Sequence, residues 1–136
     1  MLIEKSKIRR LKVFRHLFRF RGFLNGFKYA ILGIGYLFLY HRNMRVIFLF
    51  GIAAFLGGVY LKLKGIELAA LCITITLVFM AEIFNTAIEL VLDMTTRKYH
   101  ALVKLVKDIS AAVVLIASIN AVAVGTILFT KKIFGY

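Results

Sequence analysis

The sequence predicts an all-α membrane protein in which N-terminal interfacial amphipathic helices precede three transmembrane helices. Three observations support this fold class: 62% of the 136 residues are hydrophobic, the chain has no proline, and three long runs carry few or no charges. A helix needs about 20 apolar residues to cross a bilayer, and proline is a common helix breaker. A transmembrane barrel would require repeated segments of alternating polarity, which this sequence lacks. Residues 1–136 are therefore predicted to be a single membrane domain.

Residues 1–43 form the basic interfacial region of this prediction. Between residues 11 and 19 the apolar side chains fall on one side of a helix, and the lysine, arginine and histidine side chains fall on the other. That pattern is typical of a helix lying in the membrane surface. Residues 23–40 are apolar and aromatic, with Lys28 as the only charge. A second interfacial helix is favoured over a fourth span there, because residues 40–45 are too short and too basic to connect opposite sides of a bilayer.

The three transmembrane helices are predicted at about residues 44–62, 66–93 and 108–131. The turn between the first two is only a few residues long, so these spans should form an antiparallel hairpin. A longer basic loop is expected at residues 95–107. Cys72 is the only cysteine, so no disulfide within the chain is possible.

The net charge of +13 is distributed as expected for a membrane protein. Eleven of the nineteen lysine and arginine residues precede residue 46, and four more lie between residues 97 and 107. Since basic residues are retained on the cytoplasmic side, this distribution predicts a multi-pass protein with a cytoplasmic N-terminus. The charge follows the predicted topology, so we expect the lipid bilayer as its partner and no nucleic acid.

Four polar residues interrupt the second span. They are Glu82, Asn85, Glu89 and Asp93. At 100° per residue they share one face of a helix. Carboxylates at membrane depth are costly unless they face a bundle interior, a cavity or a cation. Such a ladder can conduct protons, hold a cation, or bind a phosphorylated substrate through a metal.

The chemistry of these residues favours the third of these functions, the binding of a phosphorylated substrate through a metal. Glu89, with Asn85 one turn away, suits Mg²⁺, which prefers carboxylate oxygens and retains phosphate and water ligands. Glu82 suits a general base that takes a proton from an alcohol at the membrane surface. Lys107 supplies a cation for phosphate oxygens, and Asp108 can orient Lys107 or a nucleotide hydroxyl. Together these roles predict phosphoryl transfer to a lipid alcohol.

A purely structural interpretation exists for several of these residues. Asn85 can simply hydrogen-bond a neighbouring helix, and Asp93 can form an interfacial salt bridge. Lys107 and Asp108 can be a pair at the start of a helix whose charges reach the headgroups. The two glutamates are harder to explain in this way, because intramembrane glutamates on one face are rarely structural.

Two sequence motifs resemble the prokaryotic diacylglycerol kinase and undecaprenol kinase family. The first is AEIFNTAIELVLD at residues 81–93, which is followed by the KD pair at residues 107–108. The second is FKYAILGI at residues 27–34, which is similar to the interfacial-helix motif of that family. The resemblance covers roughly residues 20–130.

This resemblance implies a homotrimeric kinase of the bacterial inner (plasma) membrane with active sites between subunits at the cytoplasmic face. Such an enzyme transfers the γ-phosphate of ATP, with Mg²⁺, to a membrane lipid alcohol, either diacylglycerol or undecaprenol. By motif, Glu82 matches the catalytic base and Glu89 a metal ligand. The positions that match the nucleotide site are Tyr29, Asn85, Asp93, Lys98, Tyr99, His100, Lys107 and Asp108.

One departure from the family pattern concerns the metal site. A second metal-binding glutamate is expected eight residues after the glycine that matches Gly33, and His41 stands there instead. Neutral imidazole is a poorer Mg²⁺ ligand than a carboxylate, and its protonated form repels the ion. His41 therefore supports an alternative, a catalytically weakened member with a lipid-binding or regulatory role. A proton or cation pathway along the ladder is a third alternative.

Overall fold

The computed structural model describes residues 20–95 and 101–135, and these are almost entirely helical. Helix α1 is Phe20–Tyr40, α2 is Arg42–Tyr60, α3 is Ile66–Thr95 and α4 is Ala101–Phe134. No strand occurs within these two stretches, so the all-α prediction is confirmed. By length and composition each of the four helices can cross a membrane.

The chain divides into two compact units, Met1–Leu39 and Tyr40–Tyr136. Helix α1 lies in the first unit, and the three helices that match the predicted spans lie in the second. The amphipathic helix predicted from residues 11–19 falls outside the described residues. Because α1 is also long enough to span, its interfacial placement stays a prediction.

A tight turn joins α2 to α3, as the short connection predicted. The amide of Leu63 donates to the carbonyl of Gly58 at 2.9 Å, and the amide of Lys62 donates to that of Val59 at 3.0 Å. This pair of bonds is a Schellman motif, which satisfies the last carbonyls of a helix. It requires a left-handed residue, and here that residue is Lys62, with φ of 58°. Glycine usually occupies this position because it has no Cβ to clash.

Helix α2 packs closely on α3 along a face with one small or flexible residue every two turns. Met44 is 2% exposed. Gly51 lies where a Cβ would be 3.1 Å from Ile75 Cγ2, and Gly58 where a Cβ would be 2.6 Å from Leu71 Cδ2. The two glycines therefore allow the helix backbones to approach closely, as small residues do in membrane bundles.

Helices α3 and α4 run antiparallel and are joined by ion pairs at both ends. At one end, Lys131 Nζ and Lys132 Nζ each lie 3.0 Å from a carboxylate oxygen of Glu67. At the other end, Lys107 Nζ lies 2.8 Å from Asp93 Oδ1. The first end also holds the apolar core cluster, which consists of Leu63, Leu71 and Leu128.

The basic loop expected at residues 95–107 is shorter than predicted, since α4 begins at Ala101. This part of the prediction is wrong. Residues 101–107 favour a helix, because they contain no glycine or proline and alternate lysine with leucine and valine. An ion pair between Lys104 and Asp108, one helical turn apart, also favours the helix. The rest of α4 contains the predicted span at residues 108–131.

An apolar groove of about 420 Å³ opens where α2, α3 and α4 meet. Ile47 and Gly51 line it from α2, Val78 from α3 and Ser118 from α4. Val78 lies one helical turn before Glu82 in α3. The groove therefore begins next to the polar residues of α3 and is suited to an aliphatic chain.

Candidate functional site

Glu82 is the most deeply buried carboxylate among the described residues, with 5% of its surface exposed. Its partner is the side-chain amide of Asn43, which reaches the carboxylate from the first turn of α2 by a hydrogen bond. His41 and Glu89 lie close enough to act on it through their charges. A carboxylate that is buried without a cation is costly in free energy. Such groups are concentrated at functional sites, including those that transfer protons. The position of Glu82 is the one that a general base requires.

A second set of contacts connects α3 to α4 through Asn85. The hydroxyl of Ser110 lies 2.7 Å from Asn85 Oδ1 and donates a hydrogen bond to it. The amide of Asn85 in turn lies 3.4 Å from Glu89 Oε1 and donates along the helix. Ser110 is buried, with 3% of its surface exposed. Asn85 therefore does hydrogen-bond a neighbouring helix, and it also contacts the predicted metal ligand.

The cations of this site pair differently from the sequence expectation. Lys107 forms an ion pair with Asp93 across the two helices at 2.8 Å, which is the interfacial salt bridge considered for Asp93. Asp108 pairs with Lys104 and not with Lys107, so of its two expected roles only the contact with a nucleotide hydroxyl stays a prediction. The reason is geometric: adjacent residues on a helix point about 100° apart, whereas residues four apart face each other.

Exposure increases along the face of α3 that carries the polar ladder. Glu82 is buried, Asn85 and Glu89 are half-buried, and Asp93 is exposed. The structure thus brings four predicted site residues together with Lys107. A carboxylate at the buried end and a cation at the exposed end allow a lipid hydroxyl and a phosphate group to approach from different directions.

The donor set at this site fits a magnesium ion that is shared with a nucleotide. Among the described residues, no group of three or more His, Cys, Asp or Glu side chains converges to hold a metal. Mg²⁺ is usually held by only one or two carboxylates, with phosphate oxygens and water as its other ligands. Glu89 and its neighbour Asn85 supply such a partial set.

The outcome differs among the remaining predicted residues. His41 immediately precedes α2, in an extended conformation with φ of −111°, and lies near Glu82. Tyr29 lies on α1 and is 69% exposed. Lys98, Tyr99 and His100 fall outside the described residues, so their nucleotide contacts stay predictions.

Sequence reasoning missed two residues of the site, Asn43 and Ser110. Asn43 lies between two arginines at the start of α2, and that basic context suggested only a membrane boundary. Ser110 begins a run of small residues and looked like a packing position. A usable signal existed for Ser110, because residues three apart share a helix face and Lys107 is three residues earlier.

The sequence comparisons place these residues in a known family. The family model described as prokaryotic diacylglycerol kinase matches residues 28–129. A diacylglycerol kinase from Synechocystis is 42% identical over 75% of this chain and 59% of its own length. An undecaprenol kinase from Bacillus subtilis is 30% identical over 82% of this chain and 90% of its own. A diacylglycerol kinase from Escherichia coli K12 is 40% identical over 57% of this chain and 66% of its own.

The match covers α2, α3, most of α4 and the larger part of α1, so it includes all of the contacts around Glu82 and Asn85. The chain nevertheless spans only 59% of the length of the Synechocystis relative. The resemblance carried by the motifs at residues 27–34 and 81–93 is confirmed, and the chain belongs to the prokaryotic diacylglycerol kinase family.

Proposed function

We propose that this protein is an ATP-dependent lipid kinase that transfers the γ-phosphate to the hydroxyl of a membrane lipid at the cytoplasmic membrane face. The observation that carries the proposal is the buried carboxylate of Glu82, which is partnered by the amide of Asn43. Family membership and the kinase names of the relatives support the same activity.

Glu82 accepts the proton of the lipid hydroxyl as the oxygen attacks the γ-phosphorus, the bond from that phosphorus to the β,γ-bridging oxygen breaks, and ADP leaves. Asn43 holds the carboxylate in place by its hydrogen bond, and the low exposure of Glu82 keeps water from competing for the proton. The apolar groove that starts beside Val78 receives an aliphatic chain of the substrate. Its walls are almost entirely apolar, so a diacylglycerol chain and an undecaprenol chain both suit it.

The exposed end of the ladder binds the nucleotide. Lys107 would contact phosphate oxygens after giving up its ion pair with Asp93, and Glu89, with Asn85 beside it, would hold the metal. Mg²⁺, when bound, neutralises charge that develops on the phosphate oxygens. Tyr29, Lys98, Tyr99, His100 and Asp108 are further nucleotide contacts in this proposal.

The topology and assembly are proposed on the same basis. Fifteen of the nineteen lysine and arginine residues fall in segments that one orientation places in the cytoplasm, which supports a cytoplasmic N-terminus in a bacterial inner membrane. A homotrimer with sites between subunits is supported by the family. Accessibility labelling of single cysteines tests the orientation, and crosslinking in lipid bilayers tests the trimer.

The proposed activity is tested with purified protein in bicelles. Radiolabel should pass from γ-labelled ATP to a lipid in the presence of Mg²⁺, and parallel assays with diacylglycerol and undecaprenol identify the preferred acceptor. A protein that is folded but labels neither lipid, with either Mg²⁺ or Mn²⁺, overturns the proposal.

His41 supports a second candidate function, a weakened kinase that binds lipid or nucleotide. It lies near Glu82, at a position where the family resemblance implies a metal-binding carboxylate. The variant His41→Glu separates the two functions. A large gain in turnover supports a weakened enzyme, whereas a loss shows that the histidine belongs to a working site.

The structure gives less support to a proton or cation pathway. Beyond the ladder, the hydroxyls of Thr74 and Thr76 on α3 donate to carbonyls of their own helix, those of Ala70 and Cys72. They do not extend a polar path along the helix. Ion flux in liposomes that is lost in Glu82→Gln and Glu89→Gln would restore the pathway as the explanation.

A further inference from the structure

Ser110 is a buried polar residue that lies between α4 and the ladder of α3. Its hydroxyl lies 2.7 Å from Asn85 Oδ1 and 2.9 Å from the carbonyl oxygen of Lys107 in its own helix. Only 3% of the residue is exposed, so water does not substitute readily for either contact. The hydroxyl has one proton for these two acceptors, and the shorter distance favours Asn85 Oδ1, so this bond is the polar connection from α4 to the amide.

This contact determines which way the Asn85 amide faces. A hydroxyl that donates to Oδ1 holds that oxygen toward α4, and the Nδ2 group then faces Glu89 Oε1 at 3.4 Å. If the amide were reversed, its oxygen would face the carboxylate oxygen, and two acceptors would repel each other. The hydroxyl of Ser110 and the carboxylate of Glu89 thus favour the same orientation, in which Asn85 donates to Glu89.

The same orientation prepares the carboxylate for a cation. The amide occupies Oε1 of Glu89, which restricts rotation of the carboxylate and leaves the second oxygen for a metal ligand bond. Hydrogen bonds to a metal-ligating carboxylate fix its direction, and their loss commonly costs about 10–100-fold in metal affinity or activity.

We propose that Ser110 is a positioning residue for Glu89, acting through the amide of Asn85. The inference rests on the proposed function, since it assumes that Glu89 holds the metal. It assigns a role in metal binding to a residue on α4 that touches neither the metal nor the lipid.

The experiment measures Mn²⁺ binding by electron paramagnetic resonance with a non-hydrolysable ATP analogue, so no turnover is needed. In Ser110→Ala we expect the apparent Kd for Mn²⁺ to rise about 10-fold, with the KM for the lipid acceptor unchanged. The matched control is Thr126→Ala, which removes another α4 hydroxyl that is bonded to its own helix, at the carbonyl of Val122. This control should bind Mn²⁺ as the wild type does.

A double-mutant comparison guards against an effect of folding alone. If Ser110 acts through Asn85, adding Ser110→Ala to Asn85→Ala should cause no further loss of Mn²⁺ affinity. Additive losses overturn the inference, and so does a Ser110→Ala protein that binds Mn²⁺ like the wild type. A wild-type protein that binds no Mn²⁺ with the nucleotide analogue overturns both this inference and the metal site of the proposed kinase, whereas the other two outcomes leave the kinase intact.

Discussion

Two glutamates on α3 lie beside the two ends of α2, Glu67 after the turn where α2 ends and Glu82 next to its first turn, and they have opposite surroundings. Glu67 lies in the first turn of the helix, where two lysines of α4 each contact its carboxylate at 3.0 Å. Glu82 lies about 22 Å further along the helix. It is buried and partnered by the amide of Asn43. The same side chain is thus paired with two cations in the first turn of the helix and with a neutral amide near its middle.

The residues around the two glutamates differ in the same way. Around Glu67 lie the leucine core and the close glycine contact of the hairpin, which bury apolar surface and satisfy backbone groups. Around Glu82 lie an amide, a histidine and a second glutamate, which cost stability unless they serve a ligand. We infer that the Glu67 end holds the helices together and the Glu82 end performs the chemistry.

The largest expected effect comes from changing the two glutamates in parallel. Glu82→Gln keeps the size and the hydrogen bond to Asn43 but cannot accept a proton, so lipid phosphorylation should fall about 10²–10⁴-fold. Glu67→Gln removes the partner of two lysines and should leave the rate nearly unchanged, because Glu67 lies about 22 Å along the helix from Glu82. Initial rates with γ-labelled ATP measure both. Equal losses in the two variants would contradict the division between the ends.

The packing of the helices at the Glu67 end is best tested with two neighbouring glycines of α2. A Cβ on Gly58 would lie 2.6 Å from Leu71 Cδ2, whereas one on Gly57 would lie 3.7 Å from the ring of Phe129. Both alanine variants gain helix propensity, but only Gly58→Ala must displace a buried leucine. We expect Gly58→Ala to be less stable than Gly57→Ala by about 1–3 kcal/mol, measured by thermal unfolding in detergent. Equal stabilities would show that Leu71 can move away from the new Cβ at little cost in free energy.

The sequence predicted the helices of the second unit well because their apolar runs are long and proline is absent. The face shared by Glu82, Asn85 and Glu89 also followed from helical periodicity. Contacts between helices could not be predicted in this way. The pairing of Asp93 with Lys107 and of Asn85 with Ser110 depends on how α4 is rotated against α3, and periodicity within one helix does not fix that rotation.

The start of α4 was also not predicted correctly. Its basic residues suggested a loop, yet lysine is a good helix former, and apolar residues lie between the lysines. A basic segment that borders a membrane can thus continue the helix that crosses it.

Replacing a lysine near either end of α4 tests a smaller effect, on the KM for ATP. If Lys107 binds phosphate oxygens, Lys107→Met should raise the KM for ATP about 10-fold, the loss expected for one charge-assisted hydrogen bond. Lys132→Met removes a lysine that pairs with Glu67 at 3.0 Å and should leave this KM unchanged. Steady-state kinetics at saturating lipid measure both variants. A KM that does not respond to Lys107→Met would mean that this lysine only pairs with Asp93.

The smallest expected effect concerns the turn between α2 and α3. Lys62 adopts a left-handed conformation with φ of 58°, which costs a residue with a Cβ about 1–2 kcal/mol. Glycine avoids this strain but loses more entropy on folding, so Lys62→Gly should stabilise the protein by about 0.5–1 kcal/mol. Lys64→Gly removes the same charge from the same turn without relieving a left-handed residue, so it should lower the thermal midpoint. If both variants lose stability, the lysine charges matter more than the backbone strain. The Lys62 side chain would then be stabilised at the membrane surface, and the Glu67 end would depend on electrostatics as the Glu82 end does.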